Sequence, residues 1–186
     1  AEIIDVDAFA LHNAFEVNHP DAMQGMVGVL NIGHEVTNIN ILEDGVPVLT
    51  RDLAIGTRRF REDLQRERGL TAEEAEKLLQ AFERSPVLDP YVESRGEEMA
   101  VGIERAAAFL QTSSRGGATM TKIYTSGGGS RIPGLSEVLA QRLGVVFERA
   151  NPIQNIKVRD GVFETLVMDE VVPLLMLSVG LALRAA

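Results

Sequence analysis

Cysteine and tryptophan are absent from these 186 residues, and aromatic side chains of all kinds make up only 5%. Without a thiol there is no disulfide framework, no thiol nucleophile and no cysteine-ligated metal. Histidine is scarce: His12, His19 and His34 lie scattered, which argues against a zinc site and leaves no metal ligand set to assign. Basic charge is short as well. Lys and Arg number 18 against 27 Asp and Glu, a formal net charge of -9, which argues against nucleic acid as a partner because phosphates call for a basic stripe. Long apolar runs are also missing. The best one, Val171 to Leu183, falls short of the roughly 20 residues that cross a bilayer, and Pro173 and Gly180 interrupt it. It reads as a buried helix, and no direct membrane insertion is expected. The N-terminus lacks the basic-then-apolar order of a signal peptide, so the expected location is the cytoplasm. The chain begins Ala1-Glu2-Ile3-Ile4 and opens at once into a helical pattern, which reads as a piece of something longer.

What is present is globular: 45% apolar and 24% charged residues, enough for one domain or two small ones. From Asp5 to Val17 the residues Val6, Phe9, Ala10, Asn13, Ala14 and Val17 recur at helical spacing and predict one buried face. The near-continuous apolar run Met26 to Gly33 predicts a strand covered on both sides. Thr37 to Leu42 alternates polar and apolar, Asp44-Gly45 signals a hairpin, and Pro47 to Leu53 makes a third strand. From Arg58 to Arg84 the chain turns to Arg and Glu, with i,i+4 pairs on a solvated helix face, and Thr71-Ala72-Glu73-Glu74 matches a capping box. Pro86 and Pro90 break that pattern before a long helix, Val92 to Thr112, with Met99, Ile103, Ala106, Ala107 and Leu110 on one face. Ser113 to Gly117 reads as a flexible link. A strand (122–125), a glycine loop, a helix from Pro133 to Leu143, a short strand (145–148) and a last helix (170–184) complete an α/β reading.

Two stretches could carry chemistry. Ser126-Gly127-Gly128-Gly129 joins a strand to a helix start, where glycine backbone and a helix N-terminus can approach an anionic or flat ligand. A plain strand-to-helix turn is the other reading. Gly129 to Gly134 has P-loop spacing, but Leu135-Ser136 replaces the Lys-Ser/Thr pair, and Ile132 breaks both the dinucleotide and the nucleophile-elbow patterns. The first hairpin turn, Asn31 to Thr37, could wrap amides around phosphate, or be a surface turn with His34 and Glu35 in solvent. No catalytic residue is assigned.

Taken with Asp7 to Leu11, Thr50 to Leu53 with Gly56, Glu74 to Glu76, Ile132-Pro133-Gly134-Leu135, Asn151-Pro152 and Gly180 to Arg184, these motifs keep one order along the chain. Together they resemble the second half of an actin-like ATPase. Within that superfamily the details are similar to the type IV pilus assembly family PilM, with the cell-division protein FtsA as a relative. The resemblance implies an actin-like (ribonuclease H-like) domain II with an inserted helical subdomain. Residues 1–25 would form a crossing helix from the absent domain I, 26–56 and 117–168 the core, 57–116 the insert, and 169–186 the crossing back.

It also implies ligand contacts for a longer protein binding ATP and magnesium. Gly127, Gly128, Gly129 and Glu76 would meet adenosine, and Asn31, Gly33, His34 and Thr37 would form the phosphate turn. Asn31 stands where the family usually carries Asp, and Leu79 where Glu76 would be followed by Lys. A neutral amide offers a cation no charge. A ligand-poor scaffold is the expectation, held peripherally at the inner membrane by partners. The groove for the tail of PilN would lie in the absent half, and self-association is a further possible contact. An FtsA-type filament protein and a sugar- or acetate-kinase relative are the alternative readings.

Overall fold

The computed structural model describes residues 4–111 and 119–184, so the link expected over Ser113–Gly117 lies outside the described residues. Five strands form one sheet in the order β3-β2-β1-β4-β5, with β1 Met26–Ile32, β2 Thr37–Glu43, β3 Val46–Leu53, β4 Lys122–Ser126 and β5 Val146–Arg149. β1, β2 and β3 run antiparallel as consecutive hairpins, while β1, β4 and β5 are parallel. The parallel half needs crossovers, and helices supply them.

The apolar run of β1 is explained by two covered faces. Met26, Leu30 and Ile32 point into one core with Ile39, Ile41, Phe60, Met99 and Leu139. Val27 and Val29 point the other way, against Leu11, Phe15, Tyr124 and Met176. The first face carries α2 (Thr57–Arg68), α3 (Ala72–Leu79), α4 (Asp89–Gln111) and α5 (Leu135–Leu143). The second carries α1 (Asp7–Asn18) and α7 (Met176–Leu183). Burial of these apolar faces is the main force holding the layers together.

The capping box forms as the sequence predicts. Thr71 Oγ1 accepts the Glu74 N–H at 3.2 Å, and the Glu74 carboxylate accepts the Thr71 N–H at 2.8 Å. The Thr71 N–H and the Thr71 hydroxyl, each donating to the Glu74 carboxylate at 2.8 Å, hold that carboxyl below its ordinary range. The charged α2 is more than a solvated face. Asp63 is 5% exposed and receives Arg95 from α4 at 2.6 Å and Arg66 at 2.7 Å, so a buried ion pair ties the two helices.

Three local expectations need correction. The buried face of α1 is Ala8, Ala10, Leu11, Ala14, Phe15 and Asn18, about one position out of phase with the predicted one. Val6, Phe9 and Val17 are exposed, and the buried amide is Asn18 rather than Asn13. Contact with α7 and the sheet chose the face, and an apolar pattern this broad does not decide it alone. The last helix is broken: α6 (Met168–Val171) passes into a 3-10 turn at Val172–Leu174 before α7 begins. Pro173 has no N–H to continue the α-helix. Pro90 starts α4 instead of ending a segment, and Pro133 precedes α5, whose N-cap is Gly134 at φ 83.

Candidate functional site

The parallel strands β1 and β4 end side by side, with Asn31 opposite Ser126. This is where α/β folds place ligands, outside the carboxyl ends of the strands. The glycine loop follows Ser126 directly. Gly127 adopts φ 80, a left-handed backbone that favours glycine, and donates its N–H to the Pro173 carbonyl at 2.7 Å. At Gly129 a side chain would overlap Ile32 of β1. The glycines therefore serve close approach between β1, the loop and the turn at Val172–Leu174. Ser130 closes the loop by donating to the Gly127 carbonyl at 2.7 Å.

The first hairpin turn is bound to α2. Gly33 donates to the Val36 carbonyl at 3.0 Å, while the Gly33 and His34 carbonyls accept the Thr57 and Arg58 N–H groups. These bonds cap the start of α2, and a side chain at Gly56 would overlap the His34 carbonyl. Thr37 is buried and donates its hydroxyl to the Ile55 carbonyl at 2.7 Å. His34 is exposed, with Nδ1 3.2 Å from Thr57 Oγ1. The turn thus has a structural task on every side but the outermost.

Asn31 belongs to a row of polar side chains that crosses four strands. Its Oδ1 accepts from Ser126 Oγ at 3.3 Å, and its Nδ2 donates to Asn38 Oδ1 at 3.2 Å. Asn38 Nδ2 donates in turn to Asp52 Oδ1 at 2.8 Å. Ser126, Asn31, Asn38 and Asp52 are register partners across β4, β1, β2 and β3. Asn38 and Asp52 escaped sequence reasoning, although the tight first hairpin already implied that Asn31 faces Asn38.

Glu76 lies on α3, half-buried, and accepts from Gln80 Nε2 at 2.6 Å. A cavity of about 280 Å³ opens one turn further on, between the end of α3 and the loop leading into α5. Gln80, Arg84, Ser130, Arg131, Gly134 and Arg149 line it, with Phe82 and Asp169, but neither Glu76 nor Gly127–Gly129 does. So the structure joins the glycine loop to Asn31 and leaves Glu76 outside both. Arg84 pairs with Asp89 at 3.0 Å and Arg131 with Glu170 at 3.7 Å. These arginines are dispersed in the chain and no spacing signalled them. Among the described residues no group of acidic and histidine side chains could hold a metal ion.

The cavity and the two turns divide the fit of a nucleotide. The cavity sits at the lower end of the roughly 300–1,000 Å³ of small-molecule sites, room for a base or ribose end. At the phosphate end Asn31 is neutral and bonded at both ends, and the Thr37 hydroxyl is taken, so magnesium-bound phosphates do not fit these residues.

Solved structures define the class. The chain superposes on the ethanolamine utilization protein EutJ from Carboxydothermus hydrogenoformans with a TM-score of 0.64 at 22% identity, covering 95% of this chain and 53% of that one. An archaeal actin homolog, Ta0583, matches with a TM-score of 0.62 at 15% identity, covering 99% and 56%. The fold is that of the actin-like ATPases. A PilM–PilN type IV pilus biogenesis complex matches at a TM-score of 0.82 and 26% identity over 98% of this chain. The chain belongs to the type IV pilus assembly protein PilM family, whose model matches residues 1–186. It spans about half the length of these solved chains, 52% in the PilM–PilN case.

Proposed function

We propose that this chain is the part of a PilM-type protein that acts as a scaffold in type IV pilus assembly, on the cytoplasmic side of the inner membrane. The observation that carries the reading is the family match over residues 1–186. By likeness to the solved PilM–PilN complex, the longer protein takes a PilN-like partner, through the part this chain does not span. Here the sheet and its helices serve as one wall. The kinase alternative needs a carboxylate near the transferred phosphate, and Asn31 brings none. In cells that carry the gene, deleting the codons for 1–186 abolishes surface pili; piliation at the parental level would overturn the reading.

Nucleotide enters this proposal only at its base end, where Gln80, Arg84, Arg131 and Arg149 would hold the base or ribose. A bound nucleotide would supply contacts shared with the other half of the fold. Calorimetry of the longer protein with magnesium and ATP separates the two ends. We expect no magnesium-dependent heat from the native protein and clear binding by an Asn31→Asp variant. Tight magnesium-dependent binding by the native protein defeats the ligand-poor reading.

A further inference from the structure

The sheet ends on one side in β3, whose outer edge has no strand beside it among the described residues. Open edges invite pairing, and proteins usually block them with proline, a bulge or charge. In β3 the proline and the bulge sit at one end only. Pro47 has no N–H to offer, and the β2–β3 register shifts beside it, between Ile41 and Leu42. From Leu49 to Leu53 the edge carries neither proline nor bulge, and its only charges are Arg51 and Asp52.

That open half borders a groove under the overhang of α4. One hollow, about 310 Å³, is lined by Arg51, Leu53, Ala106 and Phe109. The next, about 600 Å³, continues past Ala54 and Val101, and both share Leu53, Gly102 and Arg105. Gly102 lets the helix come close: a side chain there would lie 2.8 Å from both Leu53 methyls. Small residues on α4 thus leave space beside the strand.

Charge adds a preference. Two of the groove's acids are paired with cations, Glu97 with Arg142 at 2.9 Å and Glu98 with Arg95 at 2.7 Å; Asp52 turns to the opposite face of β3 from Arg51 and Leu53, where it accepts from Asn38 at 2.8 Å. The groove's cations Arg51 and Arg105 meet no carboxylate within ion-pair distance among the described residues; Arg51 lies over the Phe109 ring at 5.8 Å. On a chain of net charge -9 this is a basic spot beside an apolar floor.

We propose that Leu49–Leu53 and this groove are a docking site for an extended, acidic segment of another protein. The segment pairs with β3 as a sixth strand. Alternate side chains of an added strand point to the α4 side; among those, an apolar one would cover Leu53, Gly102 and Ala106, and acidic ones would face Arg51 and Arg105, which lie on that same side. Main-chain bonds give such a contact its affinity and the pockets give it selectivity. The proposal stands apart from the pilus reading and from the nucleotide question.

Two synthetic peptides test it, both with threonine at every second position; the positions between, which share one face, are valine and glutamate in the acidic peptide and valine and lysine in the basic one. The acidic peptide should bind and slow hydrogen exchange at amides of Leu49–Leu53, while the basic one should not. Arg105→Glu, at an exposed position, should cut binding of the acidic peptide about tenfold and admit the basic one. The proposal fails if the acidic peptide does not bind, if binding leaves the β3 amides unprotected, or if Arg105→Glu changes neither preference. It also fails if sedimentation shows a dimer that Arg105→Glu converts to monomer, because the occupant is then a second copy.

Discussion

Replacing Gly180 with alanine should cost this chain about 2 kcal/mol, although alanine is the better helix former. In the middle of an exposed helix the same change gains about 1 kcal/mol. Here α7 crosses α1 backbone to backbone: a Cβ on Gly180 would overlap the carbonyl of Ala10 and come within 3.0 Å of its Cα. Ala10 is 0% exposed and cannot retreat, because α1 rests on the sheet through Leu11, Ala14 and Phe15. The obstacle is main chain, not the end of a flexible side chain, so α7 itself must move and lift Met176 from its core. Overpacking costs about 1–3 kcal/mol, and a backbone clash belongs at the upper end. Subtracting the helix gain from about 3 leaves about 2 kcal/mol. At roughly 2–4 °C per kcal/mol for a chain of this size, the melting midpoint falls by about 4–8 °C. Thermal denaturation of both proteins, followed by circular dichroism, measures it. A midpoint unchanged or raised would refute the close crossing, since only an open Gly180 could let the propensity gain prevail.

Two further outcomes follow from buried polar groups. Burial pushes His19 below the ordinary histidine pKa of 6.5, against the attraction of Glu148, and its Nε2 accepts the Asn151 N–H at 2.9 Å with a lone pair that protonation would remove. The unfolded chain therefore takes up a proton first, and stability is lost as pH falls from 6.5 towards the lowered folded value. Denaturant midpoints at about pH 7.5 and about pH 5.5 should differ less in His19→Phe, which keeps an aromatic ring against Phe15 and Tyr124; an equal difference in both proteins would contradict this. Asp63→Asn should cost about 2 kcal/mol in urea unfolding, because it removes the buried carboxylate that receives both Arg95 and Arg66, while Glu98 still holds Arg95. A cost near zero would show that the pair adds nothing.

Legibility in the sequence followed the range of the interaction. The capping box at Thr71 and Glu74 is local, three residues apart, and was readable to the atom. The run at Met26–Ile32 was readable because a strand covered on both faces leaves no polar position. The face of α1 was not, since α7 approaches from more than 150 residues away and accepts only the side with Ala10. Pro173 marked a break that the apolar composition of Val171–Leu183 concealed. At the candidate site, Asn31 and the glycines were visible as motifs, and the structure joins them. The arginine-lined cavity was not, because Arg84, Arg131 and Arg149 lie far apart in the chain and meet only once both crossovers of the parallel half are made.

The row from Ser126 to Asp52 has a direction. Asp52, when ionised, can only accept, so Asn38 must turn its amide nitrogen outward to it and its oxygen inward. That oxygen then demands the nitrogen of Asn31, whose own oxygen is left facing Ser126 and shares its hydroxyl with the Leu30 carbonyl, each at 3.3 Å. Reversing any one amide would set like against like at the next. A single carboxylate at the rim of the sheet thereby fixes the polarity of both amides in the row. Its influence ends at the hydroxyl beside the glycine loop, three strands away, with no charge carried there and no atom displaced.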